Sequence, residues 1–559
     1  MGRWASTRGR VLVAAISLAL VAVACGGGKS TAKKATPDGT VKQGGVVKVG
    51  ISGAPFASLN KFIGPIGIYP ALIQIYPALV QLDPKSLDYR PDFATKWETS
   101  ADGTTWTFHT VPGAKWSDGQ PLTAEDAAFT FNMIVQFQKS ATANYAFAVA
   151  KLQTADTPDP NTVVLHYGSP VSNVLAQVQT LGILPKHVWE PLAMGDGAAI
   201  KAFPNVPENG QSVVSGGPFM ITDFKKDDSL LFLRNPNYYG QKPLIDGFGV
   251  KSYSNQDAMV SALKSGEIDA ISGVAPTAVD SLKSAGFTVS AIPGFFRSDL
   301  LVNSSQNKAK NRELLDPKVR EALEYAIDRK EIAQVVSLGF AQPGDSIITP
   351  PSGKWHNPNL KVAGFDVTKA NQLLDDLGYR RGADGIRVAD GHPMSYEVIL
   401  QPTLDRAFQI IQAGFDKLGV KVTPRALDGA AAFQAQKGPD NKYADFDFAL
   451  SAGGGTPQFD PDFPLSTPTC RVLGIYNTTG YCNPEYDKLY QQQSALPETQ
   501  RLQAVYQMQE MLYNARPVIV LTYNNAIDAW SNKWTGFVPS GRGLFGQIWI
   551  DTFLQAHQS

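Results

Sequence analysis

"PDFATKWETSADGTTWTFHTVPGAKWSDGQPLTAEDAAFTF", residues 91–131, decides the fold. Within it, "TTWTFHTVP" alternates polar and apolar residues with period two, the pattern of a half-buried strand. Asp118-Gly119 is a turn pair. Thr123 followed by Asp126 three residues later resembles a capping box, so a helix should open there and run on to Phe137. Strand, turn and capped helix in one short block point to a mixed α/β chain.

The rest of the sequence extends that pattern. "GGVVKVGIS" (44–52) is a β-branched run suited to a buried strand, and "NTVVLHY" (161–167) is another. Residues 215–240 read as a β-hairpin with a charged turn. "DAMVSALKSGEIDAI" reads as a helix ending at Gly266, followed by a strand. "DPKVREALEYAIDRKEIAQVV" (316–336) is the clearest helix, capped by Asp316 with Pro317 in the first turn. A further helix should stop at Gly378. "SYEVILQ", "RAFQIIQAGFDKLG" and "VKVTPRAL" form a βαβ-like unit, and a long helix before residue 516 leads into "PVIVLTY". Alternating strands and helices place the chain in the α/β class.

Length and composition bound the rest. With 559 residues, the chain is too long for one core, and 43% hydrophobic, 18% charged and 10% aromatic residues describe a folded protein. Fifty Lys and Arg balance fifty Asp and Glu, so no basic field invites nucleic acid. Arg3, Arg8 and Arg10 precede an apolar run, Val11 to Ala24, that is short for a membrane span and reads as a signal peptide over 1–24. Ala22-Val23-Ala24-Cys25 resembles a bacterial lipobox, with Ala22 where Leu is usual, so Cys25 is the expected lipidation site; a plain secretory signal is the alternative. Residues 25–44, poor in apolar side chains, form a tether with a reach of roughly 25 Å. "GGGKST" (26–31) imitates the end of a phosphate-binding loop, but Val23 stands where that motif needs its first glycine.

Signatures of chemistry are missing. The six histidines (His109, His166, His187, His356, His392 and His557) show no ligand spacing, so no metal site is expected. There is no HExxH, GxSxG or GxGxxG, so neither a catalytic centre nor a cofactor is expected. Cys470 and Cys482 are too far apart for a CxxC motif and, in an exported chain, most simply form a local disulfide.

The ordered motifs resemble one family, the bacterial extracellular solute-binding proteins, family 5, which serve ABC importers of dipeptides, oligopeptides and nickel. Residues 91–131 resemble its signature block; "GGPFMITDF…LFLRNPNYYG", "LKSGEIDA", "VREALEYAIDRKEI", "NQLLDDLGY" and "CNPEYDKLY" follow in its order. The resemblance implies a bilobed, type II periplasmic-binding-protein-like fold with an inserted domain. Lobe I would comprise 45–76, 184–272 and 511–559, the inserted domain 77–183 and lobe II 273–510. Strands crossing near 272 and 510 would form the hinge. The implied partners are a peptide-like solute held in the interlobe cleft, an ABC permease with its ATPase subunits, and the membrane through a lipid anchor on the extracytoplasmic face. A monomer is expected.

In such peptide receptors an Asp meets the peptide ammonium, in a stretch just before an Asp-Pro pair. Here that stretch is "SAGGGTPQFDPD" (451–462). By alignment the acid falls near Pro457 and the accompanying Trp near Gly454, so the amine-binding acid is missing unless Asp460 takes its place. Gly453, Gly454 and Gly455 could let a ligand backbone approach. Phe296, Arg297 and Arg406 are the other expected ligand contacts. The missing acid keeps a non-peptide solute open, either an oligosaccharide or a metal chelate. An exported hydrolase built on Asp460 and Asp462 is a more distant alternative.

Overall fold

The computed structural model describes residues 41–52, 57–63, 69–437, 444–454, 460–546 and 550–559. The signal segment, Cys25 and most of the tether lie outside the described residues, as do Gly455 and Pro457.

One mixed sheet of eleven strands runs through the molecule. From one edge its order is Lys421–Ala426, Ser395–Leu400, Phe448–Gly454, Thr288–Val302, Val518–Trp530, Ala270–Ser272, Val46–Ser52, Gly247–Tyr253, Ser229–Arg234 and Phe219–Lys225. The short strand Ala341–Pro343 adds to Val518–Trp530 off that path. Two strands are much longer than the usual five or six residues. Thr288–Val302 has 15 residues and Val518–Trp530 has 13. They pair antiparallel along nearly their whole length, from Thr288 opposite Trp530 to Leu301 opposite Val518. They therefore carry the chain between the two halves of the sheet, giving the two-lobed α/β architecture.

Each half has its own core. Val47, Trp116, Phe131, Trp189, Phe232 and Phe248 belong to one cluster, which joins the first half of the sheet to the segment around residues 77–183. That segment adds a separate four-stranded antiparallel sheet, Ala94–Thr99, Thr105–Thr110, Thr162–Tyr167 and Leu152–Asp159. Leu300, Leu323, Val398, Phe415 and Phe448 belong to the core of the other half. Val279 and Leu282, though beyond residue 272, pack with Met259 and Leu263 of the first half.

Local sequence signals explain most elements. The backbone N–H of Thr123 donates to Asp126 Oδ2 at 2.9 Å, opening helix Ala124–Phe137. The other oxygen of Asp126 accepts from the Lys186 N–H at 2.8 Å, so this cap also ties down a distant segment. The βαβ unit forms as its pattern suggests: strands Ser395–Leu400 and Lys421–Ala426 are parallel, joined by helix Asp405–Leu418 that ends at Gly419 with φ near 75°.

The 316–336 helix is corrected. Asp316 caps helix Pro317–Tyr325 as expected, but the helix stops there. Asp328 then caps a new turn by accepting from the Glu331 N–H at 2.9 Å. The break lets buried Arg329 reach the Val520 carbonyl (2.8 Å) and Glu324 (2.6 Å), satisfying a charge that a continuous helix would have had to place elsewhere. Among the described residues no helix is long and apolar enough to cross a membrane.

Candidate solute-binding cleft

The register of the crossing strands positions the cleft. Strand Ala270–Ser272 runs toward the second half, with Ala270 opposite Trp530 and Ser272 opposite Asp528. Val46–Ser52 and Gly247–Tyr253 run parallel to it. From the other side, Phe448–Gly454 runs back along Thr288–Val302, from Phe448 opposite Val302 to Gly454 opposite Phe296. Ser395–Leu400 and Lys421–Ala426 share its direction. The carboxyl ends of the parallel strands in the two halves therefore face one another. In open α/β sheets that end is where ligands bind.

The crossing itself is irregular. The pairing slips between Pro293 and Phe296. A Cβ on Gly294 would stand 2.3 Å from the Asn524 carbonyl oxygen, so only glycine fits there. Such an interruption lets a long strand bend where the halves meet.

Phe296 and Arg297 follow directly. Phe296 is 43% exposed. Arg297 donates from Nε to Asp299 (3.0 Å) and from Nη1 to the Ile347 carbonyl (3.2 Å). Asp299 is 1% exposed; burial pushes its carboxyl up, and Arg297 partly offsets that. Gly453 pairs opposite Arg297, and a Cβ on it would come 2.3 Å from Asp299 Oδ2. Its missing side chain makes room for the neighbouring strand's carboxylate. The glycine run thus begins inside a strand, and its first member serves the protein's own ion pair.

Asp460 is fully engaged. Its two oxygens accept from Nη1 and Nη2 of Arg501, both at 2.6 Å. Arg501 is 2% exposed, donates from Nε to Gln493 (2.7 Å) and stacks 4.9 Å above the Trp355 ring. A bidentate pair of this kind is strong and oriented. Asp462 accepts from Gln493 (2.9 Å) and Tyr490 (3.3 Å), and burial pushes its carboxyl up. Neither acid of the stretch is left as a free base, which removes the geometric support for hydrolysis. Arg406 is exposed in the first turn of helix Asp405–Leu418, just after the carboxyl end of Ser395–Leu400. Cys470 and Cys482 are disulfide-bonded. Among the described residues no group of three His, Cys, Asp or Glu side chains is arranged to hold a metal ion.

Asp299 and Asp528 were missed by the sequence reading. Each is a lone acid in an apolar strand, and Asp299 stands two residues from Arg297, the spacing that puts both side chains on one face of a strand. Asp528 is fully buried on the second crossing strand, where its Oδ1 accepts from the Gly273 N–H (3.2 Å) and the Leu544 N–H (3.1 Å).

Comparison with known proteins agrees with this architecture. A Brucella ovis protein named as a candidate ABC transporter peptide-binding protein is 26% identical over 340 residues, 60% of this chain and 60% of the relative. The chain thus matches three-fifths of the length of that relative. Among solved structures, the periplasmic binding protein DppA of Helicobacter pylori, in complex with peptide STSA, superposes with a TM-score of 0.71 at 21% identity, covering 92% of this chain and 98% of that one. NikA of Brucella suis, in complex with Fe(III)-EDTA, superposes with a TM-score of 0.75 at 22% identity, covering 92% of this chain and all of the other. The profile described as bacterial extracellular solute-binding proteins, family 5 Middle, matches residues 88–471, more than half of the sequence, and the chain belongs to that family.

Proposed function

We propose that this chain is the solute receptor of an ABC importer, capturing peptides between its lobes and delivering them to the permease. The observation that carries the reading is the opposition of strand carboxyl ends across two bent crossing strands, with Phe296 exposed at the crossing. Two lobes joined by two strands suit a hinge that closes on a ligand, a motion of a few residues that changes the outer surface. The peptide assignment is supported by the Brucella relative, whose name is that of a peptide-binding protein.

We draw the lobe boundary at residues 293–296 and 523–525 rather than at 272 and 510, because Val279 and Leu282 pack with Met259 and Leu263. Residues 77–183 form the inserted domain. The amine-binding role falls to a group other than Asp460, whose oxygens Arg501 occupies. Cys25 tethers the receptor to the outer face of the membrane through a lipid.

Deleting the gene in the source cell and following uptake of a labelled tripeptide tests the transport role. Uptake should fall and return with the wild-type gene; unchanged uptake of every peptide tried contradicts it. Labelling with palmitate, lost in C25S, tests the anchor.

A further inference from the structure

We propose that Arg542, with the hydroxyl of Tyr69, binds a carboxylate of the captured solute. The inference rests on reading the cleft as the solute site.

Arg542 stands out by what it lacks. The arginines that are buried among the described residues, and half-buried Arg297, are compensated: Arg297 by Asp299, Arg329 and Arg516 by Glu324, Arg387 by Asp375, Arg501 by Asp460, and Arg320 by the Ala515 and Leu314 carbonyls. The Arg542 side chain is half-buried, yet its Nε is closed off from water without a partner, and no carboxylate pairs with it among the described residues. Burial pulls its pKa below the usual range, with only Tyr69 acting against that. A guanidinium carries five donors in a planar fork and remains charged. Burying it without an anion is costly, and a group left in that state needs an explanation in an absent partner. The fork fits a carboxylate in two parallel hydrogen bonds, which a lysine could not reproduce.

Its place in the fold fits that partner. The Phe295 N–H donates to the Gly541 carbonyl at 3.0 Å, which fixes Arg542 beside the bend in the crossing strand. Two residues on, the Leu544 N–H donates to Asp528 and the Phe545 N–H to Ser272 Oγ, so the loop lies across the carboxyl end of strand Ala270–Ser272. Tyr69, within electrostatic reach of Arg542, packs against Leu82 and Phe295, and its buried hydroxyl, with the Gln179 side chain beside it, makes no hydrogen bond of ordinary geometry. A cation without an anion and a buried hydroxyl beside Gln179 thus meet where the lobes join. The chemistry is that of a carboxylate, from a peptide C-terminus or from an acidic side chain.

The test uses native mass spectrometry with randomised tri- to pentapeptide libraries, with wild type, R542Q, R542K and Y69F. One library has free carboxyl termini, the second is amidated, and the third is amidated and lacks Asp and Glu. Wild type should retain the first and lose the third by about 30-fold or more, the size expected for a lost buried charge-assisted contact. Retention of the second library assigns the carboxylate to a side chain; its loss assigns it to the C-terminus. R542Q should hold none of the three tightly yet melt, unliganded, at or above wild type, because it gives up an unpaired charge. R542K and Y69F should fall between. Equal retention of the first and third libraries by wild type, or undiminished binding by R542Q, overturns the proposal. If wild type holds no peptide at all, the peptide reading fails instead. The metal–EDTA chelate then decides Arg542: binding by wild type and not by R542Q keeps the assignment, and any other result overturns it.

Discussion

Asp528 should make the stability of this protein fall as pH rises through the acid range. The residue is fully buried on a crossing strand, and burial pushes its carboxyl from 3.8 up to about 7. Two backbone N–H groups act against the shift but do not cancel it. Below about pH 4 the group is protonated in both folded and unfolded chains, and its contribution to stability is fully present. As pH rises the unfolded chain ionises first, so stability drains away until the folded group also ionises near pH 7, and is level above that. About three pH units at roughly 1.4 kcal/mol each gives a loss of about 4 kcal/mol across that window. D528N is the control. Its amide has the shape of the protonated acid, keeps an acceptor for the Gly273 and Leu544 N–H groups, and does not titrate. Urea midpoints for both proteins from pH 4 to 8 should therefore diverge, with D528N gaining on wild type by about 4 kcal/mol at neutral pH. Parallel profiles would refute the reasoning, since they would mean that Asp528 is as well solvated folded as unfolded.

Three further outcomes follow from the geometry. D460N strips Arg501, 2% exposed, of its bidentate partner and should cost about 3–5 kcal/mol in urea denaturation, the usual penalty for breaking a buried pair. F296A removes a side chain that is 43% exposed, so unliganded stability should change by less than about 0.5 kcal/mol while solute affinity, read by titration calorimetry, drops. C470A/C482A opens a loop with a sequence separation of 12 and should lower stability by about 3 kcal/mol, which reducing agent reproduces in wild type.

Much of the fold is legible from local rules. Thr123 with Asp126, Asp316 with Pro317, and the glycines at 266, 378 and 419 each act within one turn of a helix, where a single residue decides the outcome. The 316–336 segment misled because its apolar spacing suits one helix, whereas the break at Asp328 answers a partner, Glu324, and a carbonyl, Val520, that meet Arg329 only in the folded chain. The long strand Thr288–Val302 was hard to see for the opposite reason. Its two halves follow different burial patterns, and Pro293 and Gly294 interrupt it. The cleft was legible only as an address. "SAGGGTPQFDPD" marks where a strand ends at the crossing, but the tie of Asp460 to Arg501 spans 41 residues of sequence and no local pattern announces it. Arg542 is harder still, since its distinction is the lack of a paired carboxylate among the described residues.

Native mass spectrometry of the protein purified under gentle conditions from its producing cells tests the central claim most directly. The account predicts one small solute per chain, a peptide bearing a carboxylate, released on unfolding and lost from F296A. A bare chain that takes up no peptide, or a neutral oligosaccharide in the cleft, would contradict it.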